Sequence, residues 1–439
     1  MSDVSADGAT PTRWHRDKPG LGVWEHRGRV AIAGLGHSPV DRRWDGQSLD
    51  RTLGAFAAFA ATEALEDAGL SLDDVDGVVT CPGPTGDPWA PRPYPGPPYD
   101  SEDGLTTVTA EWLTRRLGLP NVDYSVNIRE GYYLSGHALG FAAQAVGDGR
   151  CNTCLVVYPM GNLPGRYQHS GEMALDRAEG PQQWMMPWGY YLSAGTRLTL
   201  VYREYCRKYG KSEDGLAPLA TTLRRNGLMV PWGFYANSEP QEITEQDYLE
   251  SRYIHKPLRM LDCDRPMNGV GAYLVTTADR AQDLRQPPVY VLNHVQVFGK
   301  ARGQIPSLDE VESWTRLQAE MMWEGSGLGP GDVDIFNAYD GFLTLPQFTV
   351  EAFEWHGVKR GEAFDFYAGD ISVHGPHPFL SGGGNLGCGR TRTAHHHDSV
   401  EQLRGQAGAR QVTVRADVAY TGSGAPDLAG GLLLSKHPG

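Results

Sequence analysis

The chain has 439 residues, 40% hydrophobic and 21% charged, the balance of a globular protein rather than a disordered one. Its net charge of -14, from 53 acids against 39 bases, argues against nonspecific nucleic-acid binding, which needs clustered Lys and Arg. No run of about 18 apolar residues exists and the polar N-terminus lacks a signal-peptide core, so a cytoplasmic protein without a membrane span is expected.

Residues 1–27, with Trp14 and Trp24, read as an N-terminal arm. A short strand, "VAIAGLG", starts at Val30, and a helical pattern covers 53–68. "GLSLDDVDGVV" from Gly69 then turns into a second strand. Residues 82–100 are too rich in proline for a helix or inner strand and read as an extended loop, packed on the protein surface or at a subunit contact in preference to an SH3-type ligand. "GHALGFAAQAVGDGRCNTCLVVYP" reads helix, glycine turn, strand. Its Cys151 and Cys154 lack a second ligand pair, which favours structural cysteines over zinc or redox chemistry, and six cysteines in this length form no disulfide framework. An insertion at 159–264 carries an amphipathic helix at 197–210 and a helix at 243–251 with Thr244 as its N-cap. A closing strand follows from Gly271.

The same order then repeats. A strand starts at Val289, a helix fills 311–326, and "GLGPGDVDIFN" from Gly327 echoes the stretch at Gly69, both reading Gly-Leu, three residues, Asp-Val-Asp, strand. A helix beginning at "HHHD" (395–398), a turn, one or two strands, and a closing strand from Gly430 complete the second copy. A period this long marks duplicated domains. The alternation marks an α/β fold with helices on both faces of mixed sheets. The halves are 28–285, including the insertion, and 286–439.

The second-half strand runs into "FNAYDGFL", where Tyr339 is either a chemical group at a strand end or a packing tyrosine. Asp340 either orients a partner or caps the helix that follows. His294, near the end of the strand from Val289, has a ring suited to proton transfer, although a lone histidine there is more often structural. Three consecutive histidines on a helix point in different directions, so the HHHD tract reads as a solvated helix start rather than a metal site, with His395 alone an outside candidate for the active site. The glycine-rich stretches 382–389 and 422–424, represented by Gly383, Gly384, Gly422 and Gly424, can bring backbone N–H groups close to a ligand. Arg203, Arg207, Lys208, Lys211, Arg224 and Arg225 are candidates for phosphate contacts, their ordinary role being a solvated helix face.

"RVAIAGLGHSPV", "ALEDAGLSLDDVDGVVT", "YGKSEDGLAPLATTLRRNG", "ESRYIHKPLRMLDCDRPMNGVGAYLVTTADRAQDLRQPPVYVL" and "VEQLRG" resemble sterol-carrier-protein-type thiolases, and within them the lipid-transfer-protein branch. The resemblance spans about 28–437 and implies a thiolase fold of two duplicated halves in α-β-α-β-α layers. It places the thiolase nucleophile at or near Tyr132, where no cysteine stands. Gly-His-Pro is missing from "SGGGNLGCGRTRTAHHHD", and Tyr420 or Thr421 takes the place of the last catalytic cysteine. Tyr339-Asp340-Gly341-Phe342 replaces the family's His-Asp-Cys-Phe and looks like the Tyr-Asp-x-Phe of thiolase-like retro-aldolases. The resemblance therefore implies a carbon–carbon lyase acting on a bulky, possibly steroid, β-hydroxyacyl-CoA. Its alternative is a catalytically silent subunit of an acyltransferase complex. It further implies coenzyme A as part of the substrate with no tightly bound cofactor, a homodimer, and a small OB-fold and zinc-ribbon partner that binds acyl-CoA.

Overall fold

The computed structural model describes residues 24–81, 103–105, 107–128, 136–159, 194–298, 306–425 and 428–439. The proline-rich loop, Tyr132 and the arm before Trp24 lie outside them. The first half runs β1 (Val30–His37), α1 (Leu53–Ala68), β2 (Gly77–Thr80), α2 (Ala110–Leu117), β3 (Tyr124–Asn127), α3 (His137–Gly147) and β4 (Thr153–Tyr158). The insertion supplies α4 (Ala194–Tyr209), α5 (Ala217–Gly227), α6 (Phe234–Ser238), α7 (Glu245–Glu250) and the hairpin β5 (Tyr253–His255) with β6 (Leu258–Arg259). Strand β7 (Gly271–Thr277) and α8 (Ala278–Gln282) close the half. The second half runs β8 (Val289–Phe298), α9 (Leu308–Ser326), β9 (Ile335–Ala338), α10 (Pro346–Ala352), α11 (Ala363–Tyr367), α12 (Gly384–Cys388), α13 (Ala394–Arg404), β10 (Val418–Ala425) and β11 (Leu428–Ser435).

The repeat is a repeat of hydrogen bonds. Helices α1 and α9 both end on a left-handed glycine, Gly69 and Gly327, and each is followed by one 3-10 turn. The second aspartate of each Asp-Val-Asp does the same work. Asp76 accepts the N–H groups of Asn152 and Thr153 at the start of β4, and Asp334 accepts those of Asp417 and Val418 at the start of β10. A buried or half-buried N–H needs an acceptor, and a carboxylate supplies two. Thr244 caps α7 as its sequence suggests, in a reciprocal box with Asp247.

Among the described residues nine strands run in the order β3-β2-β4-β7-β1-β8-β11-β10-β9. The neighbours β3-β2-β4 and β10-β9 are parallel and the remaining pairs antiparallel. The halves join where Ala31 and Ile32 of β1 meet Tyr290 and Val289 of β8. Phe379 bridges Phe336 where a counterpart of β3 belongs. Helix α1 packs on the outer face of the first half and α9 on that of the second. Helix α3 touches β4 and β7 but also β8 and β11, so it lies between the halves, and α13 joins it in the same apolar cluster. Ala138, Ala142 and Ala143 let α3 approach both sides closely. The expected five-layer order follows. Trp24 ends the arm inside this core: its N–H donates to Gln144 of α3 and its backbone N–H to Gly325 of α9.

Candidate active site

Strand β9 ends at Ala338 and delivers Tyr339 and Asp340. The Tyr339 N–H donates to Gly422 O at 2.6 Å, continuing the parallel ladder with β10 by one residue. Tyr339 is 7% exposed and packs with Leu198, Leu345 and Phe342. A Cβ on Gly341 would lie 2.2 Å from the Tyr339 hydroxyl, so the phenol folds back over its own loop only because glycine follows. The end of the insertion clamps this loop. Leu343 N–H donates to Asp262 O, Asp264 N–H to Gly341 O, and Cys263 bridges Phe342.

Asp340 is fully buried and accepts three hydrogen bonds. Asn385 N–H reaches Oδ1 at 2.7 Å, Leu386 N–H reaches Oδ2 at 3.0 Å, and His395 Nε2 meets Oδ1 at 2.8 Å. The first turn of a helix leaves N–H groups without intrahelical partners, and a carboxylate satisfies them. Asp340 is therefore a cap, but of α12, not of the helix that follows it in sequence. Gly384 makes this possible. Its φ is +58°, and a Cβ there would stand 2.4 Å from both carboxylate oxygens.

His395 lies in the first turn of α13, its ring centroid 5.6 Å from that of Tyr339. Asn337 of β9 fixes the helix from below, donating to Asp398 at 2.9 Å, to Ser399 Oγ at 2.9 Å and to His395 O at 3.3 Å. Asp398 pairs in turn with Arg410, which also holds Glu401. The other histidines of the tract go elsewhere. His396 meets Thr421 Oγ1 at 2.8 Å, and His397 meets Tyr273 Oη at 2.7 Å and Gly36 O. Burial pushes the His396 imidazole down to about 3 and that of His397 well below its ordinary value. The three rings do diverge, but all are buried, so the expected solvated helix start is corrected.

Of the residues singled out from sequence, the structure brings Tyr339, Asp340 and the outside candidate His395 together. His294 does not end a strand. It lies within β8, which continues to Phe298 past a bulge near Leu292, and its ring packs edge-on against Trp24 and over Gly140 of α3. Gly383 packs against the backbone of α5, where a Cβ would fall 2.4 Å from Gly227 N. Gly422 and Gly424 sit in β10, paired with Gly431 and Ala429. The structure thus gives these glycines packing or strand roles, and the two α12 N–H groups on Asp340 hold a side chain rather than a ligand.

The fold has relatives of known activity. Residues 306–438 match the thiolase C-terminal domain-like family. The 17-hydroxy-3-oxo-4-pregnene-20-carboxyl-CoA lyase of Mycobacterium tuberculosis is 28% identical over 90% of this chain and 98% of its own. The steroid side-chain-cleaving aldolase of Thermomonospora curvata is 26% identical over 82% of this chain and 86% of its own. The solved Ltp2-ChsH2(DUF35) aldolase superposes with a TM-score of 0.74 at 24% identity, covering 93% of this chain and 98% of that one. The chain is thus similar to thiolase-superfamily proteins, and the relatives it matches over most of its length are named as a steroid acyl-CoA lyase and a steroid side-chain aldolase.

A thiolase works through a thiolate, and none is poised among the described residues. Cys81, Cys154 and Cys388 are fully buried, and burial pushes each thiol up. Cys206 is pushed up to about 11 and Cys263 is raised as well, again by burial. Such thiols stay protonated and are poor nucleophiles. The cations of the insertion make surface pairs: Arg203 with Glu213, Lys208 with Asp309 and Glu312, Lys211 with Asp365, Arg225 with Glu242. Arg224 lies 3.5 Å over the Tyr235 ring. Tyr420, one of the two residues the resemblance offers for the last thiolase cysteine, accepts from Gln318 at 2.6 Å and stacks on Phe336.

Proposed function

We propose that this thiolase-like protein is a carbon–carbon lyase that cleaves a bulky β-hydroxyacyl-CoA, with a steroid side chain as the acyl group, by retro-aldol chemistry. The observation that carries the reading is the buried Asp340–His395 pair beside Tyr339, in a site without an activated thiol among the described residues. With Nε2 hydrogen-bonded to Asp340, His395 keeps Nδ1 as its basic nitrogen, the arrangement in which a carboxylate fixes an imidazole tautomer. His395 removes the proton of the β-hydroxyl. The Cα–Cβ bond breaks as the new carbonyl forms, and its electron pair enters the thioester enolate. Tyr339 returns a proton to Cα, and the proton on His395 restores Tyr339, so ketone and shortened acyl-CoA together account for every atom of the substrate.

The relatives support the substrate class, since two of them are named for steroid acyl-CoA cleavage or steroid side-chain cleavage. The Ltp2-ChsH2(DUF35) aldolase supports a small OB-fold and zinc-ribbon partner of the DUF35 kind that helps hold the acyl-CoA. The thiolase resemblance supports a homodimer and coenzyme A as part of the substrate. No helix among the described residues is long and apolar enough to cross a membrane, which suits a cytoplasmic site of action.

The test is coexpression with the DUF35 partner and incubation with 17-hydroxy-3-oxo-4-pregnene-20-carboxyl-CoA and other β-hydroxyacyl-CoA thioesters. Mass spectrometry should find a ketone and propionyl-CoA from the steroid. Undiminished cleavage by Tyr339→Phe would remove its hydroxyl from the mechanism, and no turnover on any thioester would leave the chain a silent subunit.

A further inference from the structure

Breaking the Cα–Cβ bond puts negative charge on the thioester oxygen, and Tyr339, Asp340 and His395 provide for proton transfer rather than for that charge. Asn385 is the neighbour with an unassigned group. It is fully buried, and its backbone N–H meets Asp340 Oδ1, the same oxygen that His395 Nε2 meets. Its side-chain Oδ1 accepts the Arg392 N–H at 2.9 Å. Arg392 makes that bond from a left-handed backbone, φ 63°, which a residue with a Cβ rarely adopts. The amide oxygen is therefore held from outside the helix, and the amide N–H2 is turned the other way. Among the described residues Nδ2 there meets no acceptor. A buried donor without an acceptor destabilises a fold, so a partner at this point is to be expected. A neutral amide held rigidly beside a buried acid–histidine pair is a donor for developing oxyanion charge.

We infer that Asn385 is a catalytic residue whose Nδ2 donates a hydrogen bond to the thioester oxygen as the enolate forms. The inference rests on the lyase reading and adds to it the group that stabilises the intermediate.

The experiment uses the complex with the DUF35 partner and two reactions. One is cleavage of 17-hydroxy-3-oxo-4-pregnene-20-carboxyl-CoA. The other is exchange of the α-protons of propionyl-CoA in D2O, which forms the same enolate without breaking a carbon–carbon bond. Asn385→Ala should lower kcat by about 10²–10³, as loss of one oxyanion donor does, with KM little changed and exchange slowed in parallel. Asn385→Asp keeps the oxygen for Arg392 and loses the donor while ionised. Its activity relative to wild type should rise as pH falls and its acid form regains an O–H. Wild-type rates of cleavage and exchange in both variants would overturn the assignment. So would a lower melting temperature in both variants with exchange intact, since that marks a structural amide. A wild type that neither cleaves nor exchanges overturns the lyase reading itself, a result separate from either of these.

Discussion

His395 Nε2 lies 2.8 Å from Asp340 Oδ1, and neither side chain is more than 3% exposed. The two come from different elements, one at the end of β9 and one at the start of α13, and α12 holds the carboxylate between them. Asp340→Asn keeps the size and removes the charge. It presents an N–H2 to one of three donors, so a buried donor loses its acceptor, at about 1–3 kcal/mol. Cleavage should fall by at least about 10²-fold, the lower range for a general acid–base group, because the imidazole loses its fixed tautomer. Steady-state kinetics with a denaturant titration of the same sample checks both.

Gly384→Ala should be more damaging than its size suggests. The new Cβ meets both Asp340 oxygens at 2.4 Å, from a backbone at φ +58°. The left-handed conformation alone costs about 1–2 kcal/mol, and the clash adds to it. Activity should drop further than in a stability-matched variant elsewhere, measured as turnover per folded molecule. Retention of full turnover would show that the Asp340 contact to α12 is dispensable.

Arg410→Met leaves Asp398 buried and without its cation. Breaking one side of a buried ion pair costs about 3–5 kcal/mol. Because Asp398 also takes the Asn337 amide that fixes α13, His395 should lose its position as well. The expected outcome is a lower denaturation midpoint with reduced kcat. Replacing Arg410 and Asp398 together by apolar residues should recover more stability than activity.

The pH dependence of stability has a worked sign. Burial lowers His37 and His396 to about 3 from an unfolded value of about 6.5. Between those values the unfolded chain binds protons that the folded chain does not, so stability is present above about 6.5 and lost as pH falls toward 3. Each contributes up to about 1.4 kcal/mol per pH unit in that window, and His397 acts in the same direction. Asp262 opposes them. Burial raises its carboxyl to about 7 against donation from Arg259 N–H and Tyr248, so its contribution is lost as pH rises from about 4 through 7. Burial raises Glu351 and Glu401 in the same direction as Asp262, but it also lowers His137 to about 3 and lowers His356, so five depressed imidazoles outweigh three raised carboxyls. Denaturant midpoints should fall from pH 7.5 to 5.5, and His396→Gln should flatten the slope. A midpoint independent of pH across this range would contradict the buried neutral imidazoles.

The duplication was legible because it rests on local chemistry: Asp76 and Asp334 start their strands from the same place in the same motif. Thr244 and the strand from Gly271 were legible for the same reason. Tyr339 and Asp340 stood out through the motif that ends β9. His395 was only an outside candidate there, and its pairing with Asp340 was not legible, because α12 and α13 reach the carboxylate through the tertiary fold. Three adjacent histidines look polar in sequence, and only the layer between the two halves makes them core residues. His294 resembled a strand end for a related reason: with Asn293 before it, it breaks the apolar alternation, while a bulge near Leu292 lets β8 run on.

The repeat also decides how many reaction centres one chain can hold. Cys81 follows β2 as Tyr339 follows β9, and its N–H donates to Val157 O as that of Tyr339 donates to Gly422 O. The two positions are related by the internal duplication, yet one presents a phenol beside an acid–histidine pair and the other a sealed thiol. The symmetry of the backbone is therefore not a symmetry of the chemistry. Acyl-CoA should titrate to one equivalent per polypeptide, with the first half acting as wall and clamp for a centre that belongs to the second.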